Sequence, residues 1–351
     1  MRIAQVSPLY ESVPPKLYGG TERIVSYLTE QLVEQGHEVT LFASGDSETS
    51  ATLVPISAAG LRLNPKIADP IALHVAMVEF VAKLENNFDV IHFHIEYLHF
   101  PVSRRADYSH VTTLHGRLDL PEIGVLLREY REIPVVSISD NQRRPVNDYP
   151  NWVGTVYHGL PPDKYRLNTT PEGYFAFLGR ISPDKGIESA VRIAQRSGRR
   201  LKVAAKVDKN DREYYESIRS IFDAPGIEFV GEISDAEKQE FLGNAAALVF
   251  PIQWPEPFGI VMIEALACGT PVIAFPNGSV PEILENGKTG FIVGSEEQAV
   301  LAADRLYRID RATCRKEFDL RFTSARMARD YVRIYNKVIL ASGYRSSGIS
   351  A

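Results

Sequence analysis

Two carboxylates, Glu256 and Glu264, stand eight positions apart in the segment W-P-E-P-F-G-I-V-M-I-E-A-L-A-C-G-T-P-V, which runs from Trp254 to Val272. Pro255 and Pro257 bracket the first acid and keep the backbone there out of a helix. Phe258 and Gly259 follow, and an apolar helix starting near Ile260 carries the second acid before Pro271, Val272 and Ile273 begin a strand. Backbone N–H groups at such a helix start favour an anion. A turn, a core helix and two solvated acids would be the ordinary alternative, because Glu usually faces water. Glu264 resists that alternative. Its helix neighbours are all apolar, and a carboxylate in such surroundings needs a partner.

Three other stretches carry candidate chemistry. Gly179-Arg180-Ile181-Ser182-Pro183-Asp184-Lys185-Gly186 follows a strand and places a guanidinium and an ammonium across one turn. Together they match the charge of a diphosphate, Arg180 by its fork and Lys185 as a point charge. Tyr18-Gly19-Gly20-Thr21 opens a helix after the first strand, where glycine lets a phosphate approach the backbone closely. His115 ends the strand Val111–His115, a position that suits a structural histidine or one facing a ligand. His92 and His94 share a strand face and lie close to Glu96. Glu96 falls past that strand and no Cys or further His has ligand spacing, so a zinc site is not expected. The turn Gly278-Ser279-Val280-Pro281-Glu282 is expected to shape the surroundings of the main segment. Gly287-Lys288-Thr289 imitates the end of a P-loop, but Glu282 occupies the required glycine position. No G-x-G-x-x-G follows the first strand, which argues against a dinucleotide oxidoreductase, and no Asp-x-Asp pair suggests a metal-held diphosphate.

These stretches need elements to position them. Strands are expected at Ile3–Val6, Val39–Phe42, Phe88–His94, Val111–His115, Val135–Ser139 and Thr155–Tyr157. The intervening helices open at Gly19 and at Asp69-Pro70. The polar, proline-punctuated run Pro161–Gly173 reads as a linker. Alternation then restarts with strands at Tyr174–Leu178, Leu201–Val207, Ile227–Gly231, Ala247–Pro251, Val272–Ala274 and Phe291–Val293. Helices are expected at Ile187–Ser197, Asp211–Phe222, from a capping box at Ser234–Glu237 to Leu242, at Val280–Leu284 and from Ser295. The expected organisation is α/β, two Rossmann-like doubly wound parallel-sheet domains facing a central cleft. Residues 1–160 would form the first domain, 161–173 the linker, 174–321 the second domain, and 322–351 a final helix.

Composition bounds the classes. With 351 residues the chain exceeds a single typical core. A net charge of −5 gives no electrostatic case for nucleic acid. The two cysteines, Cys268 and Cys314, provide no disulfide framework, and a reducing cytoplasm is the expected location. M-R-I-A-Q-V-S-P reads as a strand rather than a signal peptide. No apolar run approaches the ~20 residues of a membrane span. Arg104-Arg105 and Arg143-Arg144 are short basic pairs that could meet phospholipid, although solvation is the commoner fate of such pairs.

Three patterns together resemble the retaining nucleotide-sugar glycosyltransferases of family four. They are Gly19-Gly20 after the first strand, Gly-Arg-x4-Lys-Gly at Gly179–Gly186, and Glu-Pro-Phe-Gly-x4-Glu-Ala-x-Ala-x-Gly-x-Pro-Val at Glu256–Val272. The resemblance spans essentially the whole chain, and the last pattern is its specific part. It implies the two-Rossmann GT-B fold and, position by position, a set of roles. Glu256 would hold sugar hydroxyls, and backbone N–H groups of Phe258, Gly259 and Ile260 would contact the sugar or diphosphate. Arg180 and Lys185 would bind the diphosphate, with Gly19 and Gly20 approaching it from the first domain. Glu264 would bind the ribose hydroxyls, His115 would hydrogen-bond the transferred sugar, and the final helix would cross back onto the first domain. The implied reaction is metal-independent and retaining, needs no cofactor, and moves a hexose-type sugar from a donor expected to be UDP-linked. Loops at Ser7–Tyr18 and Leu118–Arg131, with Tyr10, Tyr18, Arg117 and Arg128, would meet an acceptor, whether small molecule, glycan or lipid-linked. Lys206-Val207-Asp208 stands where the family usually has glycine, and His158-Gly159 where it has Asn-Gly. A GT-B epimerase or hydrolase, or a sugar-nucleotide-binding protein without activity, are the competing readings.

Overall fold

A computed structural model describes residues 1–16, 19–62, 64 and 66–346. The chain forms two compact units, Met1–Gly159 with Ser324–Ala351, and Leu160–Thr323. In unit 1, short apolar runs become strands β1 (Arg2–Val6), β2 (Glu38–Ser44), β3 (Thr52–Ser57), β4 (Val90–Phe93), β5 (His110–Thr113), β6 (Pro134–Ser137) and β7 (Asn151–Thr155). They pair in parallel in the order β3-β2-β1-β4-β5-β6-β7. Unit 2 holds β8 (Tyr174–Arg180), β9 (Leu201–Lys206), β10 (Ile227–Gly231), β11 (Ala245–Phe250), β12 (Val272–Ala274) and β13 (Gly290–Ile292). Its parallel order is β10-β9-β8-β11-β12-β13. Both sheets are doubly wound, as the alternation of strand and helix predicts. Strand order reverses between β1 and β4 in one sheet and between β8 and β11 in the other, the places where such sheets take ligands at their carboxyl ends.

The central strands are almost wholly buried, which is why most of their residues are apolar, with Gln5, His92 and Thr113 among the polar exceptions in unit 1. The edges depart from expectation. β3 is absent from the sequence reading because it is half-exposed and contains Pro55, a residue that a sheet tolerates at an edge. β7, also an edge, pairs at Asn151–Thr155 instead of Thr155–Tyr157. Ser234 and Glu237 do hydrogen-bond, Ser234 donating through N and Oγ at 2.7 and 2.6 Å, but they close a turn before the helix Lys238–Gly243.

The helix Ser324–Ser346 belongs to unit 1, where it packs on the helix Gly20–Glu34 and on β4, β5 and β7. Residues 161–173 dock on unit 2. Tyr165 is 1% exposed. Arg315 donates to the Pro162 and Tyr165 carbonyls at 2.8 and 2.5 Å, and Arg311 to the Asn168 carbonyl. The same Arg311 reaches the Ala245 and Gly243 carbonyls at 2.9 and 2.7 Å, so one guanidinium joins this segment to β11. The polar composition that suggested a linker therefore serves carbonyl-to-arginine anchoring. No helix among the described residues is long and apolar enough to cross a membrane.

Candidate functional site

Unit 2 gathers its candidate residues at the carboxyl ends of β8 and β11. β8 ends on Arg180, and the turn beyond it carries Asp184 and Lys185 to Gly186. Gly186 has φ +73°, and a Cβ there would lie 2.1 Å from the Pro251 carbonyl oxygen. That close approach brings the β8 turn against the segment leaving β11, where Gln253 N donates to Asp184 O at 2.8 Å. Lys185 Nζ consequently donates to Glu256 Oε2, and Trp254 Nε1 donates to the same oxygen at 3.1 Å. Lys185 also lies 5.1 Å from the Trp254 ring centre, within cation–π range. The two charged side chains keep 18% and 14% of their surface exposed, so they are neither sealed in nor freely solvated.

The Gly278 turn clamps this acid from behind. Gly278 has φ +61°, and a Cβ would fall 2.2 Å from Glu256 O. Ser279 N donates to Glu256 O at 2.9 Å and Ser279 Oγ to Phe258 O at 2.7 Å. Phe258 is a buried anchor at 2% exposure. Gly259, at φ +74°, turns the chain into the helix Ile260–Ala267, where Met262 N donates back to Gly259 O at 3.0 Å and the N-terminal pole favours an anion. Ile260 is the first residue of that helix.

Arg180 sits inside a collar of acids. Its Nε, Nη1 and Nη2 lie 3.3, 3.8 and 3.9 Å from Asp211, Asp208 and Asp184. Lys206 Nζ is 3.0 Å from Asp208. Arg180 and Lys185 are thus both paired with carboxylates in the protein itself, which two basic residues in a loop do not reveal by sequence. An anionic ligand would have to compete with Glu256 for Lys185 and with three aspartates for Arg180.

Glu264 is 2% exposed, and its Oε1 accepts from Lys238 Nζ at 2.6 Å and from Tyr165 OH at 3.1 Å. Its apolar helix neighbours therefore do not require a ligand to explain them, because the chain supplies the partner. Sequence reasoning missed Lys238, although its place one residue after the Ser234–Glu237 box was a usable signal. Removing one member of a buried pair typically costs 3–5 kcal/mol. Lys238→Met is expected to destabilise unit 2 by about 3 kcal/mol, and Lys238→Met/Glu264→Gln to recover most of that loss in urea unfolding. Equal losses in the single and double variants would remove the pair from the account.

The remaining candidates belong to unit 1. Gly19 caps the helix Gly20–Glu34, and Gly20 is its first residue. The φ of Gly19, 163°, is open to any residue, but a Cβ there would meet the Pro15 Cβ at 2.7 Å, so packing demands the glycine. Tyr18 of that loop lies outside the described residues. Glu22, buried in the first turn, has its carboxyl pushed up to about 7 by desolvation.

His115 follows β5 and is held from two sides. Its N–H and that of Gly116 donate to Glu96 Oε1 at 2.8 and 3.0 Å, while its Nε2 lies 3.0 Å from His94 Nδ1. The His158 ring stacks on it at 5.4 Å. Burial lowers the His115 pKa to about 3, so the ring is neutral at physiological pH. Glu96 adopts φ 54°, an uncommon conformation for a residue other than glycine, and desolvation lifts its carboxyl to about 7. His92, His94 and Glu96, for which no zinc site is expected, are taken up by contacts within the protein. His92 contacts Tyr335 and Thr113 at 2.8 and 2.7 Å, His94 contacts Gln5 at 2.8 Å, and Glu96 holds the His115 backbone. No group of three such ligands forms among the described residues.

Known glycosyltransferases resemble this chain over most of its length. Residues 163–315 match the family described as Glycosyl transferases group 1, and residues 18–165 the one described as Glycosyltransferase Family 4. An uncharacterized glycosyltransferase of Methanocaldococcus jannaschii is 27% identical over 340 residues, 84% of this chain and 85% of that one. A phosphatidyl-myo-inositol mannosyltransferase of Mycolicibacterium smegmatis is 28% identical over 340 residues, covering 86% and 83%. Among solved structures, Anabaena HepE in complex with UDP and glucose superposes with a TM-score of 0.73 at 15% identity, over 96% of this chain and 100% of the other.

Proposed function

Because the chain belongs to the group 1 glycosyl transferases of family four and has their GT-B fold, we propose that it is a retaining, metal-independent hexosyltransferase using a UDP-linked sugar. The glycosyltransferase assignment rests on the family. The donor, the stereochemistry and the residue roles are this proposal. The observation that carries it is the pairing of Lys185 with Glu256 at the carboxyl ends of β8 and β11, beside the start of the helix Ile260–Ala267.

Cleavage of a sugar–diphosphate bond leaves positive charge at the anomeric carbon and negative charge on the departing diphosphate. Lys185 and Arg180 would exchange their carboxylate partners for diphosphate oxygens, and the N–H groups of Phe258, Gly259 and Ile260 would meet the same charge. Glu256, relieved of Lys185, would accept from sugar hydroxyls, with Trp254 Nε1 steadying its other bond. Glu264 would accept from the ribose hydroxyls, oriented by Lys238 and Tyr165. Gly19 and Gly20 would give close backbone approach to the diphosphate, and neutral His115 would bond a hydroxyl of the transferred sugar. The acceptor hydroxyl would attack on the face the diphosphate leaves, and the diphosphate would take its proton. UDP is supported by the HepE complex, and a lipid-linked acceptor by the mannosyltransferase relative, so a glycan, small molecule or lipid headgroup all fit a hydroxyl nucleophile. A cytoplasmic setting would supply such a donor.

Release of nucleoside diphosphate from UDP-glucose, measured with and without EDTA, tests the metal-independent part. Unchanged release is expected. Loss of release on chelation, restored by magnesium, would overturn it.

A further inference from the structure

Three adjacent central strands of unit 1 each turn one polar residue inward: Gln5 of β1, His92 of β4 and Thr113 of β5. All three are fully buried, and the helix Ser324–Ser346 lays Tyr331 and Tyr335 over them. A buried polar row is tolerated only if each member finds a partner. The partners form one chain. Gln5 Nε2 donates to Tyr335 OH at 3.0 Å, and Gln5 Oε1 lies 2.8 Å from His94 Nε2. Tyr335 OH is 2.8 Å from His92 Nδ1, His92 Nε2 is 2.7 Å from Thr113 Oγ1, and Thr113 Oγ1 is 2.9 Å from Tyr331 OH.

The placement of the Gln5 amide, its NH2 on Tyr335 and its oxygen on His94, gives that chain a direction. An amide oxygen only accepts, so His94 Nε2 carries a proton and donates to Gln5. Burial keeps His94 neutral, which leaves its Nδ1 without a proton and able only to accept. The atom facing it is His115 Nε2, at 3.0 Å, which must then be the protonated nitrogen of that ring. His115 Nδ1 is buried and has no hydrogen-bond partner in the protein.

We propose that Gln5, His94 and Tyr335 are positioning residues for His115, fixing its proton on Nε2 so that Nδ1 is presented as a bare acceptor to a hydroxyl of the bound sugar. This deepens, and rests on, the sugar-binding role given to His115 above. It also restricts what His115 can recognise. A bare imidazole nitrogen takes an O–H or N–H and repels a carbonyl or phosphate oxygen, so the ring selects a hydroxyl. Tyr335 is the control point, because the direction of the chain follows from Gln5 turning its NH2 to the Tyr335 hydroxyl and its oxygen to His94. With Phe at that position, the Gln5 NH2 loses its acceptor and can turn toward His94, which would reverse both imidazoles.

The test is the tautomer of His115, read from its ring nitrogens by NMR on 15N-histidine-labelled full-length protein at pH 7.5, with His115→Gln for assignment. The expected result is Nε2–H in the wild type, loss of that single tautomer in Tyr335→Phe and in Gln5→Leu, and its retention in Tyr331→Phe, whose hydroxyl lies beyond Thr113. Turnover of UDP-glucose by Tyr335→Phe should fall about tenfold in kcat, the scale of one hydrogen bond, with donor KM unchanged. An Nδ1–H tautomer in the wild type, or equal loss in Tyr331→Phe and Tyr335→Phe, would overturn the proposal. The ring nitrogens report without any substrate, so a protein that turned over no nucleotide sugar would sink the transferase reading and leave this assignment standing or falling on its own.

Discussion

Lys185→Ala should lose about a hundredfold to a thousandfold in turnover of a nucleotide sugar while the fold survives, the scale of removing one preorganised donor from a developing anion. The fold should survive because Lys185 lies in a turn, keeps part of its surface in water and contributes no core packing. Its removal leaves Glu256 with Trp254 Nε1 as a donor, so that carboxylate is not stranded. Lys185→Arg should restore little, since the fork of a guanidinium does not reproduce a point charge over the Trp254 ring. Steady-state nucleotide release beside a thermal melt separates the outcomes. Unchanged turnover in Lys185→Ala would mean that the diphosphate is bound elsewhere.

Mild acid should unfold unit 1 before unit 2. All eight histidines stand at or before position 158, and unit 2 has none. Burial holds His92, His94, His99 and His158 well below the ordinary histidine pKa, and His115 at about 3. The unfolded chain takes up protons on them near pH 6.5 and the folded unit does not, so stability falls as pH falls through that value. One pH unit below it each histidine costs about 1.4 kcal/mol, or about 7 kcal/mol for five.

Glu22 and Glu96 act in the opposite sense. Raised to about 7, they favour the folded unit below the unfolded carboxyl pKa and lose that contribution as pH climbs through 7. Over the same interval they return about 2 kcal/mol each, which leaves a net loss on the order of 3 kcal/mol at pH 5.5. The two tryptophans, Trp152 and Trp254, lie one in each unit. Urea unfolding of Trp254→Phe reports unit 1 through Trp152, and that of Trp152→Phe reports unit 2. The unit 1 midpoint should fall between pH 7.5 and 5.5 while that of unit 2 stays nearly constant. Parallel shifts would place the acid sensitivity outside the histidines.

How far the sequence carried depends on the distance between partners. Both sheets were legible because buried parallel strands are mostly apolar and alternate with helices, and the edge strand Thr52–Ser57 was not, because exposure and Pro55 erase that mark. Lys185 and Glu256 were legible as candidates, since each follows a strand end and sits among glycines and prolines that shape turns. That they pair was not, because 71 residues separate them and only the β8–β11 neighbour relation joins them. Glu264 showed the same limit: its apolar neighbours announced a missing partner without saying that Lys238 was it. His92 and His94 were legible as neighbours on one strand face, but Gln5 and Tyr335, which claim them, come from opposite ends of the chain.

The most direct test of the central claim is turnover of a panel of UDP-, GDP- and ADP-sugars by the full-length protein, followed as free nucleoside diphosphate with and without acceptor extracts. The account predicts slow release from a UDP-hexose, accelerated by an extract, and absent from Glu256→Ala. Binding of every donor without release under any acceptor condition would contradict it.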